Sequence, residues 1–118
     1  MDTQKAMQNA CVGKIDFGCF YFAFPKIGVP RRSEVFFWSV HTGAELDLLI
    51  VKDGKRVGFE IKLTRSPSVS ASMRSARDVL QLDQLFAICC GSGEPWPLSE
   101  GITAVPVASI DSALRVFQ

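Results

Sequence analysis

The sequence predicts a mixed α/β (α+β) domain: a mixed central sheet flanked by helices. Three observations predict it. Two apolar, alternating runs flank Asp53-Gly54. Apolar residues then recur at Val69, Met73, Ala76 and Leu80, spaced four, three and four. Two further apolar runs follow, over 85–90 and 102–107. A hairpin, then a helix, then more strands is the order of a mixed sheet with helices against it.

Taken in order, the elements have local reasons. Residues 3–12 carry a weak helical pattern in Ala6, Met7, Ala10 and Cys11, with Asp2 or Thr3 to cap it and Gly13 to stop it. Residues 17–24 are aromatic and read as extended. Pro25, Gly28 and Pro30 break regular structure. Residues 35–40 form the first clear strand, and Thr42-Gly43 turns the chain. Residues 44–51 and 56–64 form the next two strands, joined through Asp53-Gly54, a strong short-range hairpin signal. Pro67 marks a loop, and the Val69-Met73-Ala76-Leu80 stripe gives an amphipathic helix. Residues 85–90 read as a buried strand. The stretch 91–101, with Pro95 and Pro97, reads as a loop. Residues 102–107 form a last strand whose Pro106 requires a sheet edge or a strand end. Ser109 is placed to cap a short helix over 110–116.

Length and composition bound this further. The chain has 118 residues, of which 47% are apolar and 21% charged. That is one small domain, 1–118, with an atypical lead-in over 1–33 and a core over 34–110. It is too apolar for disorder. The net charge of +1 gives no global argument for a polyanionic partner. Its distribution does: residues 52–77 hold seven basic and two acidic side chains, +5 in all, against −4 elsewhere. A local basic surface attracts polyanions, and it also serves plainly as a solubilising face. Cys11, Cys19, Cys89 and Cys90 contain no C-x-x-C pair, and His41 is the single histidine, so common zinc spacings are absent. Cys89 and Cys90 read as buried thiols. The opening residues lack a signal-peptide pattern, and no apolar run spans a bilayer, so the expected setting is cytoplasmic with no membrane partner.

The hairpin brings charges together. With Asp53-Gly54 as a two-residue turn, paired residues place Asp47 opposite Glu60 and Glu45 opposite Lys62. Alternation then sets Glu45, Asp47, Glu60 and Lys62 on one face, and Leu46, Leu48, Ile50, Val57, Phe59 and Ile61 on the other. Opposed like charges are destabilising, so Asp47 against Glu60 asks for a neutralising cation. Lys62 supplies one. Mg²⁺ would supply more, since it takes hard oxygen ligands and keeps several waters. A solvated charge ladder is the plainer reading of the same pattern.

The run 43–50, Gly-Ala-Glu-Leu-Asp-Leu-Leu-Ile, followed by Gly58-Phe59-Glu60-Ile61-Lys62, resembles the PD-(D/E)XK nuclease signature. More narrowly, residues 35–110 look like a domain of unknown function at the C-terminus of predicted bacterial and archaeal P-loop ATPases. Phe37-Trp38, Ser66-Pro67 and the Gly-x-x-Ala-Val-Pro-Val at 101–107 carry that resemblance. It implies a restriction-endonuclease-like fold and Mg²⁺ (or Mn²⁺) dependent hydrolysis of DNA phosphodiester bonds. By position it implies Asp47, Glu60 and the Ile61 carbonyl as metal ligands, and Lys62 as the catalytic lysine, with Glu45 as an accessory acid. The superfamily often adds an acid from a helix before the first strand, but residues 3–12 contain none. Glu34, Asp2 and Asp16 are poor substitutes. A catalytically inactive nuclease-fold module, binding DNA or an ATPase partner, is therefore the alternative. No G-x-x-x-x-G-K-[ST] occurs in this chain.

Around that pair, Arg74, Arg77 and Gln81 lie off the apolar stripe of the helix, where they face either solvent or a phosphate backbone. Gln81 or Gln84 is also a candidate for the active-site water. Arg65, three residues past Lys62, is the better substrate contact. Trp38 reads as core and Trp96 as a loop anchor. The aromatic run 17–24 packs on the sheet or forms a homodimer surface.

Overall fold

The computed structural model describes residues 11–14, 34–40 and 43–117. Among the described residues, seven strands form one mixed sheet: β1 (Cys11–Lys14), β2 (Glu34–Ser39), β3 (Glu45–Lys52), β4 (Lys55–Ile61), β5 (Gln84–Cys89), β6 (Trp96–Ser99) and β7 (Ile102–Pro106). Their spatial order is β1-β2-β3-β4-β5-β7-β6. β1 to β4 are antiparallel, β4, β5 and β7 run parallel, and β6 returns antiparallel along the edge. Helix α1 (Ala71–Val79) connects β4 to β5, and α2 (Ile110–Leu114) follows β7 through a turn of 3₁₀ helix and ends in another.

The hairpin register is the one the two-residue turn predicts. Leu48 pairs Phe59, Ile50 pairs Val57 and Lys52 pairs Lys55. Asp53 (φ 51°) and Gly54 (φ 81°) both take the left-handed conformation a primed turn needs.

Each face of the sheet has its own core. On one, Val35, Leu48, Ile50, Val57, Phe59, Phe86, Ile88 and Val105 pack under α2 and Phe117. On the other, Trp38, Leu46, Leu49, Leu85, Ala87 and Ile102 pack under Met73, Ala76 and Leu80 of α1. Ser70 caps α1 by accepting the Met73 N–H at 3.1 Å. Gly58 lets the structure beneath α1 close up: a Cβ there would lie 2.8 Å from Leu82 Cδ1 and 3.1 Å from Leu46 Cδ2.

The expected single apolar face of the hairpin is wrong at Leu46, and Ile61 keeps that face without joining the core. Between the Phe36–Leu49 and Trp38–Leu46 pairs, β2 advances two positions and β3 three. Asp47 and Leu48 together therefore oppose Phe37, a β-bulge. The extra residue moves Leu46 to the same face as Leu49, against α1, while Leu48 stays on the α2 face. Ile61 keeps the parity of Phe59 but lies past the edge of the core, 39% exposed.

Other expectations shift at element ends. Residues 11–14 are a strand and not the tail of a helix, because β2 offers them a pairing edge. The rest of that expected helix, the aromatic run and the loop before β2 lie outside the described residues, as does His41. β4 stops at Ile61 and not at 64. Residues 96–99 are a strand and not loop, with Pro97 on the outermost strand, where a missing N–H is tolerated. Trp96 is accordingly a half-exposed strand residue. Pro106 ends β7, as its ring requires. Ser109 does not cap α2, since its hydroxyl donates to the Gly93 carbonyl at 2.6 Å. Cys89 is buried as expected but Cys90 is exposed, because β5 is buried on both faces and ends at Cys89, leaving Cys90 beyond the sheet.

Candidate active site at the end of β4

The bulge in β3 decides where Asp47 goes. Its exposed carboxylate reaches across to β4 and accepts the Ile61 N–H at 2.8 Å. The regular ladder ends at Leu48–Phe59, so a side-chain oxygen takes a position that a main-chain carbonyl would hold in an unbroken hairpin. The main-chain N–H and C=O of a strand residue point to the same edge, so the Ile61 carbonyl faces the Asp47 side as well.

Glu60 lies beside it. It pairs with Ala87 of β5, faces the α1 side of the sheet and is 7% exposed. It is a buried charged residue in an otherwise apolar layer. Its pKa is pushed up from 4.5 to about 8. Burial is the main cause. A hydrogen bond to Asp47 and the charges of Asp47 and Glu45 push the same way, and Lys62 alone opposes them. At neutral pH Glu60 therefore holds its proton.

Asp47, Glu45 and Lys62 of the sequence constellation therefore all act on Glu60. Glu45 opens β3 opposite Ser39 and is not paired with Lys62, and because the bulge puts Leu46 on the α1 side, Glu45 takes the other face of the sheet from Glu60, contrary to the expected single charged face. Lys62 sits just past β4, its N–H still bonded to the Ile88 carbonyl at 2.8 Å. Three carboxylates against one ammonium is a donor set short of positive charge. Two of those carboxylates and the Ile61 carbonyl are hard oxygens at the carboxyl end of a parallel strand, the usual ligand end of such sheets. Among the described residues, no three His, Cys, Asp or Glu side chains converge on one point. Mg²⁺ fits such a sparse set, since it keeps several waters.

The remaining candidates divide. The loop after Lys62 carries Arg65, exposed, and the first turn of α1 carries Arg74, also exposed. Both stay at the Lys62 end. Arg77 and Gln81 do not. α1 runs back along the sheet, so its C-terminus lies near the start of β5. There the Asp83 N–H meets the Arg56 carbonyl, four residues of β4 before Glu60. Arg77 is engaged: its Nε bonds Asp78 and its guanidinium donates to the Glu100 carbonyl, each at 2.9 Å. It lines a recess of about 520 Å³ with Asp78, Asp83 and Glu100, a poor place for a phosphate. Gln81 adopts a left-handed conformation (φ 51°) just past the helix. Gln84 pairs Val57, three residues from the Glu60–Ala87 pair. Neither glutamine is placed to reach the carboxylates. The signal for this in the sequence is the crossover itself, which sends the helix C-terminus to the far end of the strands.

One residue that no sequence motif singles out is Leu63, 93% exposed beside Lys62.

Comparison with known proteins gives the family. Residues 26–110 match the model of DUF4143, described as a domain of unknown function. The chain belongs to that family. The matched stretch takes in β2 to β7, and with them Asp47, Glu60 and Lys62. Two relatives are the uncharacterized proteins Rv2008c of Mycobacterium tuberculosis and Mb2031c of Mycobacterium bovis, each 43% identical over 76 residues. The alignment covers 64% of this chain but 17% of each relative, so the chain spans only a small part of the length of those relatives. No solved structure matches the chain. No helix among the described residues is long and apolar enough to cross a membrane.

Proposed function

We propose that the domain is a PD-(D/E)XK-type, divalent-metal-dependent nuclease domain that hydrolyses DNA phosphodiester bonds. The observation that carries this reading is the buried Glu60 carboxyl beside Asp47, at the end of the strand that ends in Glu60-Ile61-Lys62. Asp47, Glu60 and the Ile61 carbonyl would hold Mg²⁺ or Mn²⁺. A metal there supplies an activated water and charge neutralisation at the phosphate. Lys62 would orient that water or steady the charge that develops on the phosphate oxygens. Arg65 and Arg74 would contact the backbone on either side.

The test is cutting of plasmid and single-stranded DNA in Mn²⁺ by wild type, Asp47→Asn and Lys62→Ala. Cutting by wild type that both substitutions abolish supports the reading. Equal cutting by all three proteins overturns it. DNA retention without cutting leaves a nuclease-fold binding module, which would act alongside a further partner such as an ATPase.

A further inference from the structure

We infer that the nucleic acid this site takes is single-stranded, with its bases resting on an apolar ridge beside Lys62. The inference rests on the nuclease reading for the position of the phosphate. The ridge itself is independent of it.

Three exposed apolar side chains lie at this end of the sheet: Phe37 (43% exposed), Ile61 (39%) and Leu63 (93%). Phe37 stands opposite the Asp47–Leu48 bulge, and Ile61 follows Glu60 with its side chain on the opposite face. Leu63 is not on a loose loop. The Lys62 N–H bonds the Ile88 carbonyl, and the Cys90 N–H bonds the Thr64 carbonyl, both at 2.8 Å. In a regular parallel ladder Cys90 would bond the Lys62 carbonyl. The chain instead spends two extra residues between these ties, and Leu63 is held outward between them.

The segment that carries Leu63 is basic, and the acids of the site, Glu45, Asp47 and Glu60, all precede it in the sequence. From Ile61 to Arg77 the sequence holds Lys62, Arg65, Arg74 and Arg77, six Ser or Thr hydroxyls and no acid. Arg77 is spent on Glu100, and the others face outward or toward the carboxylates. A fixed apolar ridge one residue from an ammonium, on an acid-free stretch, fits a partner that alternates apolar faces with phosphates. A single strand offers both, because its bases are free to pack on side chains. Paired bases in a duplex present their edges, and their faces stay stacked on one another.

The test is fluorescence anisotropy with a labelled oligothymidine and a hairpin duplex of equal length, at low salt and without metal. Wild type is expected to bind the single strand about tenfold tighter than the duplex. Leu63→Ser should lose about tenfold on the single strand and little on the duplex. Leu63→Phe should restore single-strand binding, and neither change should alter the salt slope, since no charge is removed. Equal affinity for both probes, equal losses on both, or no binding to either overturns the inference. So does a change in sedimentation with Leu63→Ser, which would make the ridge a protein interface. Binding read without metal keeps the two readings apart. Strand preference without Mn²⁺-dependent cutting sinks the hydrolytic reading alone, and cutting without strand preference sinks this one alone.

Discussion

The carboxylate of Asp47 accepts the main-chain N–H of Ile61 at 2.8 Å, so a residue of the candidate site also completes the hairpin. The two roles separate by substitution. Asn at 47 keeps an oxygen acceptor and removes the charge, whereas Ala removes both. Asp47→Asn should fold with near wild-type stability, and Asp47→Ala should be about 1 kcal/mol less stable in urea titrations. Wild type should gain thermal stability in Mn²⁺, and neither variant should.

Glu60 makes stability fall as pH rises. Its folded pKa is about 8 and its ordinary value 4.5, so the folded state binds the proton more tightly. Its contribution is intact below about pH 4.5, is lost progressively up to about pH 8, and is flat above. A shift of this size corresponds to a few kcal/mol, at most about 5. Glu60→Gln cannot ionise. Without metal, it should match wild type near pH 5 and exceed it by a few kcal/mol at pH 8.5. Urea midpoints measured across that range check this, and a difference that does not change with pH contradicts the assignment.

Gly58 is required for space, not for backbone conformation. The atoms a Cβ would meet belong to the ends of Leu82, Leu85 and Leu46, which have some freedom to move. Gly58→Ala should therefore cost about 1–3 kcal/mol, and Gly58→Val more. Because Leu46 and Leu85 pack under α1, hydrogen exchange in α1 should accelerate more than in β1 and β2.

Arg77 should behave as a structural residue. Losing its bonds to Asp78 and the Glu100 carbonyl should cost about 1 kcal/mol, since the side chain is partly exposed. DNA affinity and its salt dependence should stay as in wild type. Arg65→Ala and Arg74→Ala should do the reverse: unchanged melting, weaker binding, and a salt slope lower by about one for each phosphate that is no longer neutralised.

Much of this is legible in the residues alone. The Asp53-Gly54 turn dictates the hairpin register, because a two-residue loop leaves no freedom in pairing. The register then puts Asp47 beside Glu60. The Met73-Ala76-Leu80 stripe locates α1 to within two residues. The bulge is not legible. Leu46-Asp47-Leu48-Leu49-Ile50 alternates only at its start, and nothing in it says where an extra residue is accommodated. That is why simple alternation puts Leu46 in the wrong layer. The far-end placement of Arg77 and Gln81 is hidden for another reason. Helical spacing says which residues share a face, but the direction in which the helix crosses the sheet says which end they occupy. β6 is masked by its prolines, since an outermost strand tolerates what a central one does not.

The bulge has a consequence for how this domain can change. It works as a phase shift: β3 is read in one frame on the hairpin side and in another beyond Asp47. Deleting a single residue between Leu46 and Leu49 would restore simple alternation and leave a perfectly respectable strand. It would keep Leu46 in the α1 layer, since residues two apart share a face, but it would take the Asp47 carboxylate away from Ile61. Substitutions can adjust this site by degrees, whereas a one-residue length change in β3 would erase it at a stroke and still leave a sheet behind.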